Sequence, residues 1–274
     1  MTRRPLRQLL CGAIALGLLC AAGTATASTA EAASATASTA EAASATVACA
    51  MDNGAQGLAS SPVAGSLFSV PRADGRVDQF QLFYDSTATG GLPFIWHRDQ
   101  SEPNGAYGPW VRVSAATVGP KAPYVTAAEN TDGSIELLFA TYGQFCHSVE
   151  DDQVGWTAPE PFGLVPSPYM GGVVLFKERD GSLDAFASTM ATGSSMQLRT
   201  QRAPSIDWGT VESMGKVPDP NVGLSQPSTV DELPDGRLHL TVREWNRDRY
   251  WQITQLAPQG AWGSWELCAT QQCA

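Results

Sequence analysis

Short apolar runs joined by Asp-Gly pairs recur four times and form the main pattern of the chain. The pairs are Asp74-Gly75, Asp132-Gly133, Asp180-Gly181 and Asp235-Gly236. Asp-Gly between two apolar runs is a strong signal of a β-hairpin, because glycine readily adopts the positive φ that such turns require. Units repeated about every 50 residues are typical of β-propeller blades.

Each repeat predicts four strands, of which the second is apolar on both faces and therefore suits a sheet stacked between neighbours. The predicted strands are 65–70, 77–83 and 94–98 in the first repeat, 124–128, 135–141 and 145–149 in the second, 172–176, 183–188 and 197–201 in the third, and 228–233, 238–244 and 250–254 in the fourth. An outer strand follows in each repeat, headed by Tyr107, Trp156, Trp208 or Trp262. Pro159 in the second of these fits only an edge strand.

The fold class predicted from this pattern is all-β, because no helical period of useful length is present after residue 47. We expect a β-propeller of about four four-stranded blades within a domain over 47–274. The blades are predicted at about 62–115, 120–164, 167–216 and 225–268. Five blades are the alternative, if residues 47–61 and the C-terminal tail form a degenerate blade.

The N-terminus predicts export. Residues 1–27 combine Arg3, Arg4 and Arg7 with an apolar stretch and a small-residue cleavage site, as in a signal peptide. Residues 28–46 repeat an Ala/Ser/Thr-rich sequence without side chains suited to a core, so we expect a flexible linker. No other stretch is long and apolar enough to span a bilayer. The predicted location is therefore extracellular, without a membrane span.

Four cysteines remain after the expected cleavage and predict disulfides, which are usual in exported proteins. They are Cys49, Cys146, Cys268 and Cys273. A bond from Cys49 to Cys268 or Cys273 would fasten the two ends of a closed ring, and this is our hypothesis for the pairing. Zinc is the weaker interpretation, because the spacing contains no C-x-x-C pair.

The charge balance argues against nucleic acid as a partner. The formal net charge is −10, and the expected cleavage removes three further arginines. Such a surface repels polyanions and favours solubility. The sequence leaves the oligomeric state open.

Several segments resemble the repeats of the bacterial PLL-type propeller lectins, which run DG-x-L, LWH and W-x-x-W. The first repeat has Phe94-Ile95-Trp96-His97-Arg98 and Tyr107-Gly108-Pro109-Trp110, and the fourth has Asp235-Gly236-Arg237-Leu238 and Trp262-Gly263-Ser264-Trp265-Glu266. The resemblance covers about three quarters of the chain. It implies a secreted sugar-binding protein with shallow sites between blades and without cofactor chemistry. Those lectins have seven blades, and the Trp-His pair is present here only in the first repeat.

Two groups of side chains have the chemistry of a sugar site, where aromatic rings stack on the apolar faces of sugars and polar groups bind hydroxyls. They are Trp96, His97 and Arg98 in the first repeat, and Arg243, Trp245, Arg247 and Trp251 in the fourth. The alternative is that the tryptophans seal the interfaces between blades. The sequence thus favours a non-catalytic, lectin-like protein that binds glycans or glycoconjugates.

A polar residue stands four positions after the turn aspartate of every repeat. These residues are Asp78, Glu136, Asp184 and His239. The three carboxylates could bind a cation such as Ca²⁺ if they faced the channel. We favoured a structural role instead, with each side chain bonded to neighbouring backbone N–H groups.

Two other functions were left open. A glycoside hydrolase or lyase would use paired carboxylates, and the available acids are Asp99, Glu102, Glu150, Asp151, Asp152, Asp207 and Glu244. Ser205-Ile206-Asp207-Trp208-Gly209 partly resembles the Asp-box of sialidases, although Glu212 stands in place of its tryptophan. A protein-interaction propeller would use the same loops for a polypeptide.

Overall fold

The computed structural model describes residues 59–85, 93–117, 125–141, 144–164, 170–189, 195–202, 207–245 and 247–268, together with Cys49 and Gly193. All of them belong to one compact unit, Glu41–Ala274. The predicted signal peptide and linker lie outside the described residues. Within the described part of the chain, no helix has the length and apolar character needed to cross a membrane.

The strands form four antiparallel sheets arranged as a four-bladed β-propeller, which confirms the predicted fold class. The first sheet contains β1 (Ala59–Pro62), β2 (Phe68–Pro71), β3 (Val77–Asp85), β4 (Pro93–Asp99) and β5 (Val111–Thr117). The second contains β6 (Val125–Glu129), β7 (Ile135–Thr141), β8 (Gln144–Asp151), β9 (Gly155–Trp156) and β10 (Glu160–Pro161). The third contains β11 (Met170–Lys177), β12 (Leu183–Thr189), β13 (Ser195–Thr200) and β14 (Glu212–Lys216), and the fourth β15 (Leu224–Glu232), β16 (Leu238–Glu244), β17 (Tyr250–Thr254) and β18 (Glu266–Cys268).

The Asp-Gly pairs form the turns between the first two main strands of each sheet, as the sequence predicted. Gly75, Gly133, Gly181 and Gly236 all have a positive φ of 84–92°. The preceding aspartate side chain accepts a hydrogen bond from the backbone N–H two residues ahead, for example from Ser134 to Asp132 at 3.0 Å. The second and third strands of the sheets then lie within two residues of their predicted bounds.

The outer strands begin later than predicted. Tyr107, Trp208 and Trp262 precede the outer strand of their sheet and make isolated bridges to Gln100, Gln201 and Gln255. The outer strands themselves start at Val111, Glu212 and Glu266. The aromatic residues were correctly placed in the repeat, but each closes the preceding turn instead of heading a strand.

Three apolar clusters hold neighbouring sheets together, and each is centred on the second strands. Phe80 and Leu82 of β3 pack with Leu137 of β7, while Leu138 on the opposite face of β7 packs with Ala185 of β12. The third cluster joins β12 to β16 in the same way. The prediction that the second strands are apolar on both faces because they lie between sheets is confirmed.

Hydrogen bonds near the Asp-Gly turns also cross between sheets. The carboxylate of Glu129 accepts the Ala73 backbone N–H at 2.9 and 3.0 Å, and Glu232 accepts that of Arg179 at 3.0 Å. Pro234 and Pro71 occupy the corresponding donor and acceptor positions of the fourth and first repeats. Because proline has no N–H and no carboxylate, the sequence excludes this bond from the fourth repeat to the first.

The disulfide pairing differs from our hypothesis. Cys49 is bonded to Cys146 of β8, with the two Cα atoms 5.8 Å apart, and not to Cys268 or Cys273. Cys49 is buried in the apolar cluster between the first and second sheets, where Gln144 donates a hydrogen bond to its Sγ at 2.9 Å. Cys49 itself is therefore anchored beside β8. Cys268 is also disulfide-bonded, and Cys273 lies outside the described residues.

Candidate functional site

The hairpin between β16 and β17 carries all four residues predicted from the fourth repeat, together with a buried acid. Glu244 ends β16 and is almost fully buried. Trp251 of β17 lies in the core between the third and fourth sheets and donates its Nε1–H to Glu244 Oε1 at 2.8 Å. Trp251 thus positions Glu244 from below and is not itself accessible.

Two arginines contact this acid, and a third lies beside them. Arg249 Nη2 lies 2.6 Å from Glu244 Oε1, and Arg247 Nη1 lies 3.7 Å from Oε2. Arg243 is exposed and donates its Nε–H to the Arg247 carbonyl at 3.2 Å. Arg243 Nη2 also lies 3.7 Å from Asp248, so each of the three guanidinium groups has a carboxylate within 4 Å.

Trp245 gives this hairpin its aromatic surface. Its side chain is 45% exposed, although tryptophan is among the large apolar residues that are usually covered. Its backbone N–H donates to Gly223 O at 2.8 Å, on the segment that connects the third sheet to the fourth. Arg249 approaches Asp219 of that same segment at 3.5 Å. The site therefore lies where two sheets adjoin.

Three buried polar atoms of this cluster make no hydrogen bond of good geometry to the residues that the structure describes. They are Glu244 Oε2, Arg249 Nε and Arg249 Nη2, of which the last is nevertheless ion-paired with Glu244. Buried polar groups in proteins are normally paired with protein, water or ligand. An acceptor and a donor next to an exposed tryptophan can hold hydroxyl groups, and the exposed arginines add donors for carboxylate or hydroxyl oxygens.

The residues predicted from the first repeat are split between the two faces of β4. His97 faces the second sheet, where its Nε2 lies 3.2 Å from Asp78 and its ring packs on Phe80. Trp96 and Arg98 lie on the opposite face. The Arg98 guanidinium lies over the rings of Tyr107 and Trp110, at 4.7 and 4.4 Å from their centroids.

Arg98 is also bound along one edge, because its Nε and Nη2 both donate to Gln79 Oε1, at 2.9 and 2.6 Å. Trp96 is buried, and its Nε1–H has no hydrogen-bond partner among the described residues. This group is thus mostly packed inside the first sheet, whereas the fourth-sheet group is open to solvent.

The repeated polar positions bond to side chains of their own sheet, and not to the backbone N–H groups that we expected. Asp78 pairs with Arg72 and His97, and Glu136 with His147 Nδ1 at 2.9 Å. His239 pairs with the Thr254 hydroxyl at 2.9 Å. Among the described residues, no group of three or more histidine, cysteine, aspartate or glutamate side chains is arranged to hold a metal ion.

Asp184 is the exception, because its partner is another acid. The residue two before the Asp-Gly pair is Arg72 in the first repeat and Asn130 in the second, but Glu178 in the third. Glu178 and Asp184 are 8% and 1% exposed and lie close enough to interact. Burial raises the pKa of Glu178 to about 8, and the charge of Asp184 adds to the rise. Burial likewise raises the pKa of Asp184 to about 6, against hydrogen bonds from Thr200 and Glu178.

The acids considered for a hydrolase do not form one group with this pair. Glu150 is held by Arg72 at 2.8 Å, and Glu244 by Arg249 as described above. Asp99 lies 3.6 Å from Arg76, and Asp207 is exposed on the surface. Ser205 and Ile206 of the Asp-box-like segment lie outside the described residues.

Two residues of these clusters, Arg249 and Glu178, were not singled out by the sequence analysis. Arg249 follows Arg247 by two positions on the predicted hairpin. This spacing close to Glu244 could have indicated that both arginines contact the acid. Glu178 stands where the other repeats have arginine, asparagine and leucine, so an alignment of the four turns would have singled it out.

Comparisons with known proteins support the fold alone. No protein-family model and no curated protein sequence matches the chain. A protein of unknown function from Dyadobacter fermentans is similar in structure, with a TM-score of 0.57 and 12% identity over 77% of this chain and 70% of that one. The Hadza microbial sialidase Hz136 has a TM-score of 0.52 and 12% identity over 75% of this chain and 46% of its own.

The NanB sialidase of Streptococcus pneumoniae is also similar, with a TM-score of 0.55 and 8% identity over 80% of this chain and 53% of its own. This chain therefore spans about half the length of the two sialidases that it matches. It has a propeller fold distantly similar to that of carbohydrate-active enzymes.

Proposed function

We propose that the protein binds carbohydrate without catalysis, at the β16–β17 hairpin where the third and fourth sheets adjoin. The observation that carries the proposal is the exposed ring of Trp245 on the same hairpin as Arg243 and as Arg247 and Arg249, which contact Glu244. An aromatic face for the apolar side of a sugar and fixed polar groups for its hydroxyls are the two requirements of such a site.

Within the proposal, each residue has a separate role. Trp245 stacks on the sugar, and Arg243 and Arg247 donate hydrogen bonds to its oxygens. Arg249 and Glu244 offer the unpaired Nε donor and Oε2 acceptor. Trp251 positions Glu244 through its hydrogen bond and does not touch the ligand. The packed group around Trp96 and Arg98 is a second, weaker candidate on the first sheet.

Export to the extracellular space is part of the same proposal. The N-terminal pattern of residues 1–27 supports it, and so does the disulfide between Cys49 and Cys146, since disulfides persist mainly in oxidising compartments. The resemblance to propeller lectins supports a glycan ligand. Likeness to sialidases adds only the fold, because the identities are 8% and 12%.

The test is a glycan array with neutral, acidic and amino sugars, followed by titration calorimetry on the best ligand. We expect Trp245→Ala to weaken binding about tenfold, equivalent to about 1.4 kcal/mol. Leu256→Ala is the matched control, because Leu256 is an exposed apolar residue at the other end of the same sheet. It should bind as the wild type does.

Three results would count against the proposal. Full affinity of the Trp245→Ala protein would remove this residue from the site. Release of sugar products from chromogenic or polymeric substrates would show an enzyme instead of a binding protein. Absence of both binding and turnover would favour recognition of a polypeptide.

A further inference from the structure

A cleft of about 300 Å³ lies between the third and fourth sheets, at the end of the sheets where the Asp-Gly turns are. It is remote from Trp245, because β16 begins beside that turn and ends at Glu244. Seven residues of extended strand span roughly 20 Å. The cleft is therefore separate from the hairpin site.

Acidic side chains dominate the lining of this cleft. Glu178, Asp180 and Asp184 come from the third sheet and its turn, and Glu212 from the start of β14. Arg202 is the one cationic side chain that lines it among the described residues. Asp180 is engaged by Ser182 and by Gln259 Nε2 at 2.9 Å, a bond that ties the turn to the fourth sheet.

The buried acid pair is left incomplete. Asp184 is 1% exposed, and its Oδ1 has no hydrogen-bond partner among the described residues. The equivalent carboxylates in the first two repeats are each bonded to a basic side chain, Asp78 to Arg72 and Glu136 to His147. Of these three repeats, only the third has an acid, Glu178, two positions before the Asp-Gly pair. Asp184 thus faces a second acid and not a basic side chain. A positive group in the cleft would supply the missing charge.

The wall opposite the acids has the character of a sugar site. Trp262 lines the cleft, partly exposed, with its edge packed on Phe186 at a centroid distance of 5.9 Å. Gln255 and Gln259 line the same side. An aromatic face attracts cations as well as apolar ring surfaces, and the exposed amide of Gln259 can bind hydroxyl groups.

We propose that this cleft is a second binding site, which takes the ammonium group of an amino sugar. The ammonium lies against Asp184 Oδ1 and Glu178, and the sugar ring stacks on Trp262. A compact ammonium carries three donors, which suits an unpaired carboxylate oxygen with a second carboxyl beside it. This site does not depend on the function proposed for the hairpin.

The test compares a fully deacetylated glucosamine tetramer with its N-acetylated counterpart by titration calorimetry near pH 6 and at low salt. The two probes differ only in the charge and acetylation of the amines. We expect binding of the deacetylated tetramer alone, weakened at least tenfold in Asp184→Asn and measurably in Glu178→Gln. Salt should weaken it further. Glu160→Gln is the control, since it removes one charge from an exposed strand at a distance from the cleft.

Asparagine and glutamine have nearly the shapes of the acids that they replace, and circular dichroism would verify that both variants fold. Equal binding by both variants and the wild type would show attraction to the acidic surface in general and would overturn the proposal. Competition by calcium, with a rise in the unfolding temperature, would make the cleft a metal site and would overturn it too. If Trp245→Ala loses binding of the ligand found for the hairpin site but still binds the deacetylated tetramer, the two sites are independent.

Discussion

The like-charged pair Glu178 and Asp184 makes the stability of the protein depend on pH. In the unfolded chain these groups have ordinary pKa values of 4.5 and 3.8, whereas burial raises them to about 8 and about 6 in the folded state. The folded state therefore holds protons that the unfolded state has released. By linkage, the contribution of the pair to stability is greatest below about pH 4 and declines until about pH 8.

Glu178→Gln is predicted to reduce this decline. Glutamine can donate to Asp184 at every pH and carries no charge, so Asp184 ionises more easily. We expect the fall in unfolding temperature between pH 5 and pH 9 to be smaller than in the wild type by the equivalent of about 1 kcal/mol or more, roughly 2–4 °C for a chain of this size. Thermal unfolding at several pH values measures it. The prediction fails if the variant declines as steeply as the wild type and Glu160→Gln do.

Among the elements, a buried glutamine fastens the end of the third strand in three of the sheets. Gln100, Gln201 and Gln255 accept the backbone N–H at the start of the second strand, at 2.9–3.0 Å. In the second sheet Glu150 takes this position, and it accepts from Arg72 of the first sheet at 2.8 Å. The glutamine bond therefore closes three of the four blades beside their Asp-Gly turns.

Gln201→Ala is predicted to destabilise the protein more than an ordinary surface change. Gln201 also donates to Asn130 Oδ1 in the second sheet at 2.8 Å, so its loss leaves two buried groups unpaired. The expected cost is about 2 kcal/mol, which equilibrium urea unfolding would measure. Gln153→Ala, in the exposed turn after β8, should change stability by less than about 0.5 kcal/mol. Equal effects of the two changes would contradict this role.

The elements also show how far the sequence could lead. The second strands were predictable because their apolar faces and the Asp-Gly pairs depend on local chemistry alone; β7 and β16 have the predicted bounds. The burial of His97 was not predictable, because it depends on which face of β4 meets the second sheet. The acid pair likewise depends on side chains from two strands, so its pKa values follow only from the fold.

For the whole molecule, the disulfide between Cys49 and Cys146 closes the longest covalent loop that the structure describes. It joins residues 97 apart in sequence and so restricts the unfolded chain strongly. A loop of this length corresponds to about 4–5 kcal/mol in the chain-entropy account. We predict that replacing both cysteines with serine lowers the unfolding temperature by about 10 °C or more. An unchanged unfolding temperature under reducing conditions would contradict this prediction.

The first and fourth sheets each have one face that differs in polarity from the faces between consecutive sheets. The alternating residues on the outer faces of β3 and β16 include Gln79, Gln81, His239 and Thr241, whereas the faces between consecutive sheets are apolar. The turn bond that Glu129 and Glu232 accept is excluded there by Pro234 and Pro71. The facing surfaces of the first and fourth sheets are therefore more polar than the surfaces between consecutive sheets, and they lack the hydrogen bond between turns.

The position of the Cys49–Cys146 bond also decides how the protein would break under a protease. A single cut anywhere between residues 50 and 145 leaves both pieces covalently joined, so the first blade could be nicked without leaving the molecule. Cleavage between the third and fourth blades has no such link from this bond. Gel electrophoresis with and without reductant would therefore distinguish cuts between residues 50 and 145, which separate the pieces only after reduction, from cuts between the third and fourth blades.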